Sequence, residues 1–270
     1  MFFKQMRAGS VIHTFFTQVR PSAGLYVRSI SHGIAQPGYI SPTMVRGEYV
    51  LHMVLGGQAL HNGQPVSAGD AFLMRPMLAH RLEILPDKPF EQYWVEFGGS
   101  EASGLIADYT FANTDRFSGI DPSPLLPLLH AAVYDEQDEA SASLRQTGLL
   151  YMLLALLPQT RAADKSPAGY VRQAMDFLRL NLSEGVTVSD AARAVRLSER
   201  YLCRLFLRET GITPIHYLNA CRVEAAKEHL RNTSLTISEI AEACGFRDSN
   251  YFSRFFKRET GCAPSRFRQD

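Results

Sequence analysis

The chain has 270 residues, a length that favours two domains over one. Its 46% hydrophobic and 20% charged residues are the mix of an ordinary soluble globular protein, and 28 Lys+Arg against 27 Asp+Glu leave a net charge of +1. The longest continuous apolar run, Leu149 to Leu157, is far shorter than the ~20 residues a spanning helix needs, which excludes a membrane-embedded class. MFFKQMRAGSV lacks the sustained apolar stretch of a secretory leader, so a cytoplasmic protein is expected.

Residues 1–20 alternate weakly and read as a loose arm. From Gly24 the pattern turns to strands. Leu25 to Ile30 is one, and Tyr49 to Leu55, closed by Gly56-Gly57, is a strong one. Gln58 to His61 runs into Asn62-Gly63, a pair that favours a tight primed hairpin turn. Ala71 to Met74, Ala79 to Leu85 and Gln92 to Phe97 complete the series. Short strands with turns every 8–12 residues predict a sandwich or jelly-roll barrel. Along the last strand Gln92, Trp94 and Glu96 alternate to one side, and Tyr93, Val95 and Phe97 to the other.

Two helices follow. Pro122 to Asp135 carries Leu125, Leu126, Leu128, Leu129 and Val133. Ser141 to Leu157 is apolar over more than one face, so it is covered on several sides. One side packs on the barrel; the other either joins the same core or meets a twin subunit. The polar, proline-bearing stretch Pro158 to Ala168 reads as a linker.

The C-terminal part contains an internal duplication. Tyr201-Leu-Cys-Arg-Leu-Phe-Leu-Arg-Glu-Thr-Gly-Ile-Thr-Pro214 aligns with Tyr251-Phe-Ser-Arg-Phe-Phe-Lys-Arg-Glu-Thr-Gly-Cys-Ala-Pro264 at an offset of 50. Upstream, Val188 to Ala192 aligns with Ile237 to Ala241 at an offset of 49, so one residue is added in the second turn. In the second copy Phe252, Phe255 and Phe256 form one helical face, and Asn250, Ser253, Arg254 and Lys257 the other. A short helix, a turn at Gly245 and a helix with a cationic outer face predict a helix-turn-helix. From Ser166 onward there are 16 Lys+Arg against 12 Asp+Glu, and before it 12 against 15; that sign fits nucleic acid for the C-terminal half. All four cysteines, Cys203, Cys221, Cys244 and Cys262, lie there without CxxC spacing, as expected for reduced cytosolic cysteine.

Residues EIAEACGF and YFSRFFKRETGCAPSRFR, within 167–270, resemble the DNA-binding domain of the AraC/XylS family of bacterial transcription regulators. EYVLHMVLGGQALHNGQPVSAGDAFLMRPMLAH resembles, more loosely, the cupin-type sensor domain of many family members, and YWVEFGG its sugar-responsive branch. The fold expected is therefore a two-domain α+β chain: a cupin-like barrel over residues 1–120 and a helical pair over 121–158 with a dimerising role. A linker over 159–168 and an all-α double helix-turn-helix domain over 169–270 follow, the two units joined by a helix from Pro214 to Arg231.

The resemblance implies a ligand-responsive regulator of promoter DNA, an activator and homodimer that works with RNA polymerase. Base-reading positions carried over one by one are Arg200, Cys203 and Arg204 on the first recognition helix and Ser249, Asn250, Ser253 and Arg254 on the second. Lys257 is expected on phosphate. Arginine pairs with guanine O6/N7 and asparagine with adenine N6/N7; for Arg204 and Arg254 the alternatives are contact with phosphate or with the neighbouring helix. A sugar is the expected effector, held by Arg46, His52, His80, Trp94 and Glu96, since an aromatic face beside polar groups holds a polyol. The alternatives are a non-sugar effector such as a fatty acid or aromatic compound, and a cupin-type enzyme fused to a DNA-binding module. Cupin-type enzymes hold a metal through an HxH pair; here His52 is followed by Met53-Val54, so neither metal, cofactor nor catalysis is expected.

Overall fold

The computed structural model describes residues 2–7, 10–17, 24–108, 114–135, 139–158 and 166–269. The chain divides into two compact units, residues 1–102 with 114–161 and residues 103–113 with 162–270.

The first unit is β-rich. Its strands are β1 (Phe2–Arg7), β2 (Ser10–Phe16), β3 (Tyr26–Ala35), β4 (Met44–Val45), β5 (Tyr49–Gly56) and β6 (Gln58–His61). Then come β7 (Gln64–Ser67), β8 (Ala71–Met74), β9 (Ala79–His80), β10 (Leu82–Ile84), β11 (Phe90–Gly98) and β12 (Arg116–Phe117). The large sheet has the order β1-β2-β3-β11-β5-β8-β12; β10-β6-β7 and β4-β9 form two smaller sheets. Val50, Val54, Phe72 and Phe90 of the large sheet pack with Ala59, Val66, Leu82 and Ile84 of the three-stranded one, so the core lies between them. The first six residues of β5 are buried on both faces, and all of them but His52 are apolar or aromatic. Asn62 and Gly63, at φ 50° and 76°, make the primed turn that the sequence predicts.

Two readings change. Residues taken as a loose arm form the antiparallel β1–β2 hairpin, and β2 continues the sheet from Ser10↔Ala35 to Phe16↔Ser29. Alternation is weak there because Val11 to Thr14 are all half-buried, rather than sorted into two faces. The single strand expected over 79–85 is two, since β9 pairs with β4 and β10 with β6.

Helix α1 (Ala102–Asp108) precedes β12; α2 (Leu126–Tyr134) and α3 (Glu139–Leu156) follow it. The Thr17 hydroxyl bonds the buried Gln146 of α3, and His32 Nδ1 lies 2.6 Å from the Tyr134 hydroxyl of α2. Both helices are thereby fixed on the sheet. The linker expected over 158–168 falls mostly on 159–165, outside the described residues, and Pro167 and Ala168 already belong to the next helix.

The second unit contains α4 (Pro167–Leu180), a 3-10 turn (Leu182–Glu184), α5 (Val188–Ala194), α6 (Glu199–Thr210), α7 (Pro214–Asn232), α8 (Ile237–Ala243), α9 (Ser249–Thr260) and α10 (Pro264–Phe267). Its helix starts are written in the sequence. Thr187 with Asp190 and Thr236 with Glu239 form complete capping boxes at α5 and α8. Ser198 and Asp248 cap the two recognition helices through the amides of Tyr201 and Tyr251. Thr213 with Pro214 opens α7.

Candidate functional site

The recognition helices α6 and α9 bury equivalent residues. Leu202, Leu205 and Phe206 face one core, and Phe252, Phe255 and Phe256 the other. Burial runs identically from 201 to 210 and from 251 to 260. The opposite face is what a DNA groove can reach. Arg200, Arg204, Asn250, Arg254 and Lys257 are exposed there, while Cys203, Ser249 and Ser253 are half-exposed.

The arginines on these helices are in different states. Arg208 and Arg258 are paired 2.8 Å from Glu209 and Glu259, which leaves them less free to meet phosphate. The Arg204 guanidinium lies 5.1 Å from the Tyr201 ring, a stacking that restrains its rotamers. Burial and Glu199 push the Cys203 thiol up, so it stays neutral beside Arg204. One position was not anticipated. Leu207, 52% exposed, occupies in α6 the place of Lys257 in α9. The offset of 50 was the signal for it, since it sets Leu207 against Lys257.

A cavity of about 350 Å³ opens in the first unit. Its polar lining comes mostly from strands of the large sheet, with Ser41 and Arg46 added from the segments before and after β4. Four of the five expected effector residues, Arg46, His52, Trp94 and Glu96, line it together. The Trp94 ring crosses Gly33 on the neighbouring strand, where a Cβ would sit 2.8 Å from a ring carbon, so glycine there makes room for the indole. His52 stacks between Phe72 and Trp94, at 4.4 and 5.8 Å between ring centroids. His52 Nδ1 donates to Gln92 Oε1 at 2.9 Å, and burial pushes its pKa down to about 3. It is a neutral imidazole with Nε2 as acceptor. Burial raises the Glu96 carboxyl, against the pull of Arg46. Beside it the buried Glu48 accepts from the Tyr26 hydroxyl at 2.8 Å and from Arg28.

His80 is the correction. It is absent from the cavity lining and sits in a buried chain. His80 Nε2 donates to the Arg75 carbonyl at 3.0 Å, and His80 Nδ1 accepts from His61 Nε2 at 3.0 Å. Burial lowers its pKa. Gln92, on the face that the strand alternation gives to Trp94 and Glu96, lines the cavity too, and Ser29, Ser31 and Thr14 of β2 and β3 line it without having been singled out. Among the described residues no group of three His, Cys, Asp or Glu is placed to hold a metal.

A β-rich unit with a sheet-lined cavity and an all-helical unit with two helix-turn-helix motifs define a class: the ligand-responsive, sequence-specific DNA-binding transcription regulators. Residues 28–154 match the AraC-like ligand binding domain and residues 191–270 a helix-turn-helix domain. The raffinose operon transcriptional regulatory protein RafR of Pediococcus pentosaceus is 30% identical over 240 residues, 83% of this chain and 86% of that one. The Msm operon regulatory protein of Streptococcus mutans is 26% identical over 245 residues, covering 86% and 88%. The lactose operon transcription activator of Staphylococcus xylosus is 24% identical over 260 residues, covering 91% and 92%. The chain belongs to the AraC/XylS family of transcription regulators. No helix among the described residues is long and apolar enough to cross a membrane.

Proposed function

We propose that the chain is a cytoplasmic, sugar-responsive transcription activator that acts as a homodimer with RNA polymerase and has no catalytic activity. The observation that carries the effector reading is the half-buried Trp94 ring beside His52, with Arg46 and Glu96 in the same cavity. A pyranose presents an apolar face to such a ring and hydroxyls to the His52 acceptor and the carboxylate. The names of the raffinose and lactose operon relatives support the same class. A thermal-shift screen of neutral mono- and disaccharides tests it. A sugar that raises the melting temperature of the wild-type protein but not of Trp94→Ala supports the reading; no response to any sugar contradicts it. A second reading, a fatty acid or aromatic effector, is favoured by Ile12, Phe16, Met74 and Leu82 in the same lining. Decanoate and benzoate in the same screen separate the two.

In this reading Arg200, Cys203, Arg204, Ser249, Asn250, Ser253 and Arg254 read base edges, and Lys257 binds phosphate. Residues 1–120 form the sensor, 121–158 the helical pair, 159–168 the linker and 169–270 the DNA-binding domain. The homodimer contact is assigned to α3, where Leu144, Tyr151 and Met152 are 79%, 47% and 42% exposed. Replacing Leu144 and Tyr151 by Glu should give a monomer in sedimentation; an unchanged dimer would remove that assignment.

A further inference from the structure

We propose that the two helix-turn-helix units are locked to one another by Arg222 and by a backbone contact at Gly245, so that the protein reads its two half-sites at one fixed spacing. The proposal rests on both recognition helices meeting DNA. A linker helix alone leaves a hinge. Between Asn232, the end of α7, and Ile237, the start of α8, lie four residues about which the second unit could rock. Two contacts oppose that motion.

The first contact is the side chain of Arg222, on α7. Its guanidinium donates to the Val186 carbonyl at 3.0 Å, just before α5 of the first unit. The same guanidinium lies 5.3 Å from the ring of Phe246, in the turn of the second unit. Phe246 is 8% exposed and packs in the core that holds α8 and α9. Repetition inside the chain isolates what is special here. Leu235 stands to α8 as Val186 stands to α5, and its carbonyl accepts from Arg268 at 2.5 Å. Each unit therefore has an arginine on its entry carbonyl, from the helix after its recognition helix. Arg222 does this local work and also reaches across to the other unit's turn.

The second contact is backbone against backbone. Gly245 has φ +75°, and a Cβ there would lie 2.3 Å from the Leu182 carbonyl oxygen and 3.1 Å from Gly185 Cα. The turn of the second helix-turn-helix is thus pressed onto the 3-10 turn and loop that lead into the first. A side chain at Gly245 would push the two turns apart and tilt one recognition helix relative to the other. One base pair inserted between half-sites rotates and shifts the second by about 35° and ~3.4 Å. A hinged reader follows that change; a locked one does not.

The test uses the full chain and duplexes selected from a random library. Wild-type protein should enrich two half-motifs at a single spacing, and one inserted base pair should lower affinity by about tenfold or more. Arg222→Ala should enrich the same half-motifs at several spacings and reduce that penalty to about threefold or less. Phe246→Leu keeps the Arg222 bond to Val186 and removes the ring contact. It should relax spacing in the same direction, and it serves if Arg222→Ala does not fold. Two half-motifs at variable spacing with wild-type protein, or an undiminished insertion penalty in both variants, would overturn the lock. Enrichment of a single half-motif would overturn it too, by removing the two-helix reading beneath it.

Discussion

The two helix-turn-helix units share one burial pattern but exchange residues on both faces of their recognition helices. Tyr, Arg, Phe, Arg, Glu, Thr, Gly and Pro recur at an offset of 50, and the burial of α6 and α9 is the same residue by residue. The outward positions have diverged: Arg200 against Asn250, Cys203 against Ser253, Leu207 against Lys257. Packing keeps the inner face apolar rather than residue by residue: Leu202 and Leu205 stand where Phe252 and Phe255 stand in the second core. Solvent places no such demand on the outer face. The duplication therefore kept its scaffold and changed its chemistry, and the two units should read different sequences.

The scaffold half of that comparison is broken most severely in the cores. Phe206→Ala and Phe256→Ala, equivalent positions of the two cores, should each cost about 3–5 kcal/mol in chemical denaturation of the full chain, and by similar amounts. A large difference would mean that the two cores are not equivalent.

The sensor unit differs from both helical units in its buried histidines. His52, His61 and His80 are all pushed down by burial. With folded pKa values below the unfolded 6.5, their contribution is complete above about pH 6.5. It is lost as pH falls, because the unfolded chain takes up protons that the folded chain refuses. Each adds a slope of up to ~1.4 kcal/mol per pH unit between that point and its depressed value. Acid melts between pH 7 and 5 should weaken the sensor unit before the helical one, and His61→Phe should flatten the slope.

On the outer faces, Arg204→Ala and Arg254→Ala should each cost about 1–3 kcal/mol of specific binding and relax one base, at different positions in the site. Loss at the same base would merge the two readers into one. The smallest change sharpens the Leu207–Lys257 contrast. Leu207→Lys should add one phosphate contact and steepen the salt dependence of binding by about 0.9 in log–log slope, in titrations against the selected duplex. An unchanged slope would place Leu207 away from the backbone of the DNA.

Local signals carried most of the fold. The Asn62-Gly63 turn and the helix that opens at Pro214 were legible because their signals act within a few residues. The β1–β2 hairpin was not, because Val11 to Thr14 of β2 are all half-buried and leave no alternation to read. Helix α4 went unnamed although Ser166 caps it and Val171, Ala174, Met175 and Leu178 keep helical spacing on its buried side. In the cavity, Trp94 and Glu96 were legible from strand alternation. His80 was misplaced because its strand is only two residues long and pairs with β4, a partner the sequence does not announce.

The central claim is that α6 and α9 enter successive major-groove segments of one duplex through Arg204 and Arg254. Dimethyl sulfate interference reads guanine N7 in that groove directly. With full-length protein on a selected site, two clusters of interfering guanines should appear about one helical turn apart, and Arg204→Ala and Arg254→Ala should each erase a different one. A single cluster, or two clusters indifferent to both substitutions, would contradict the account.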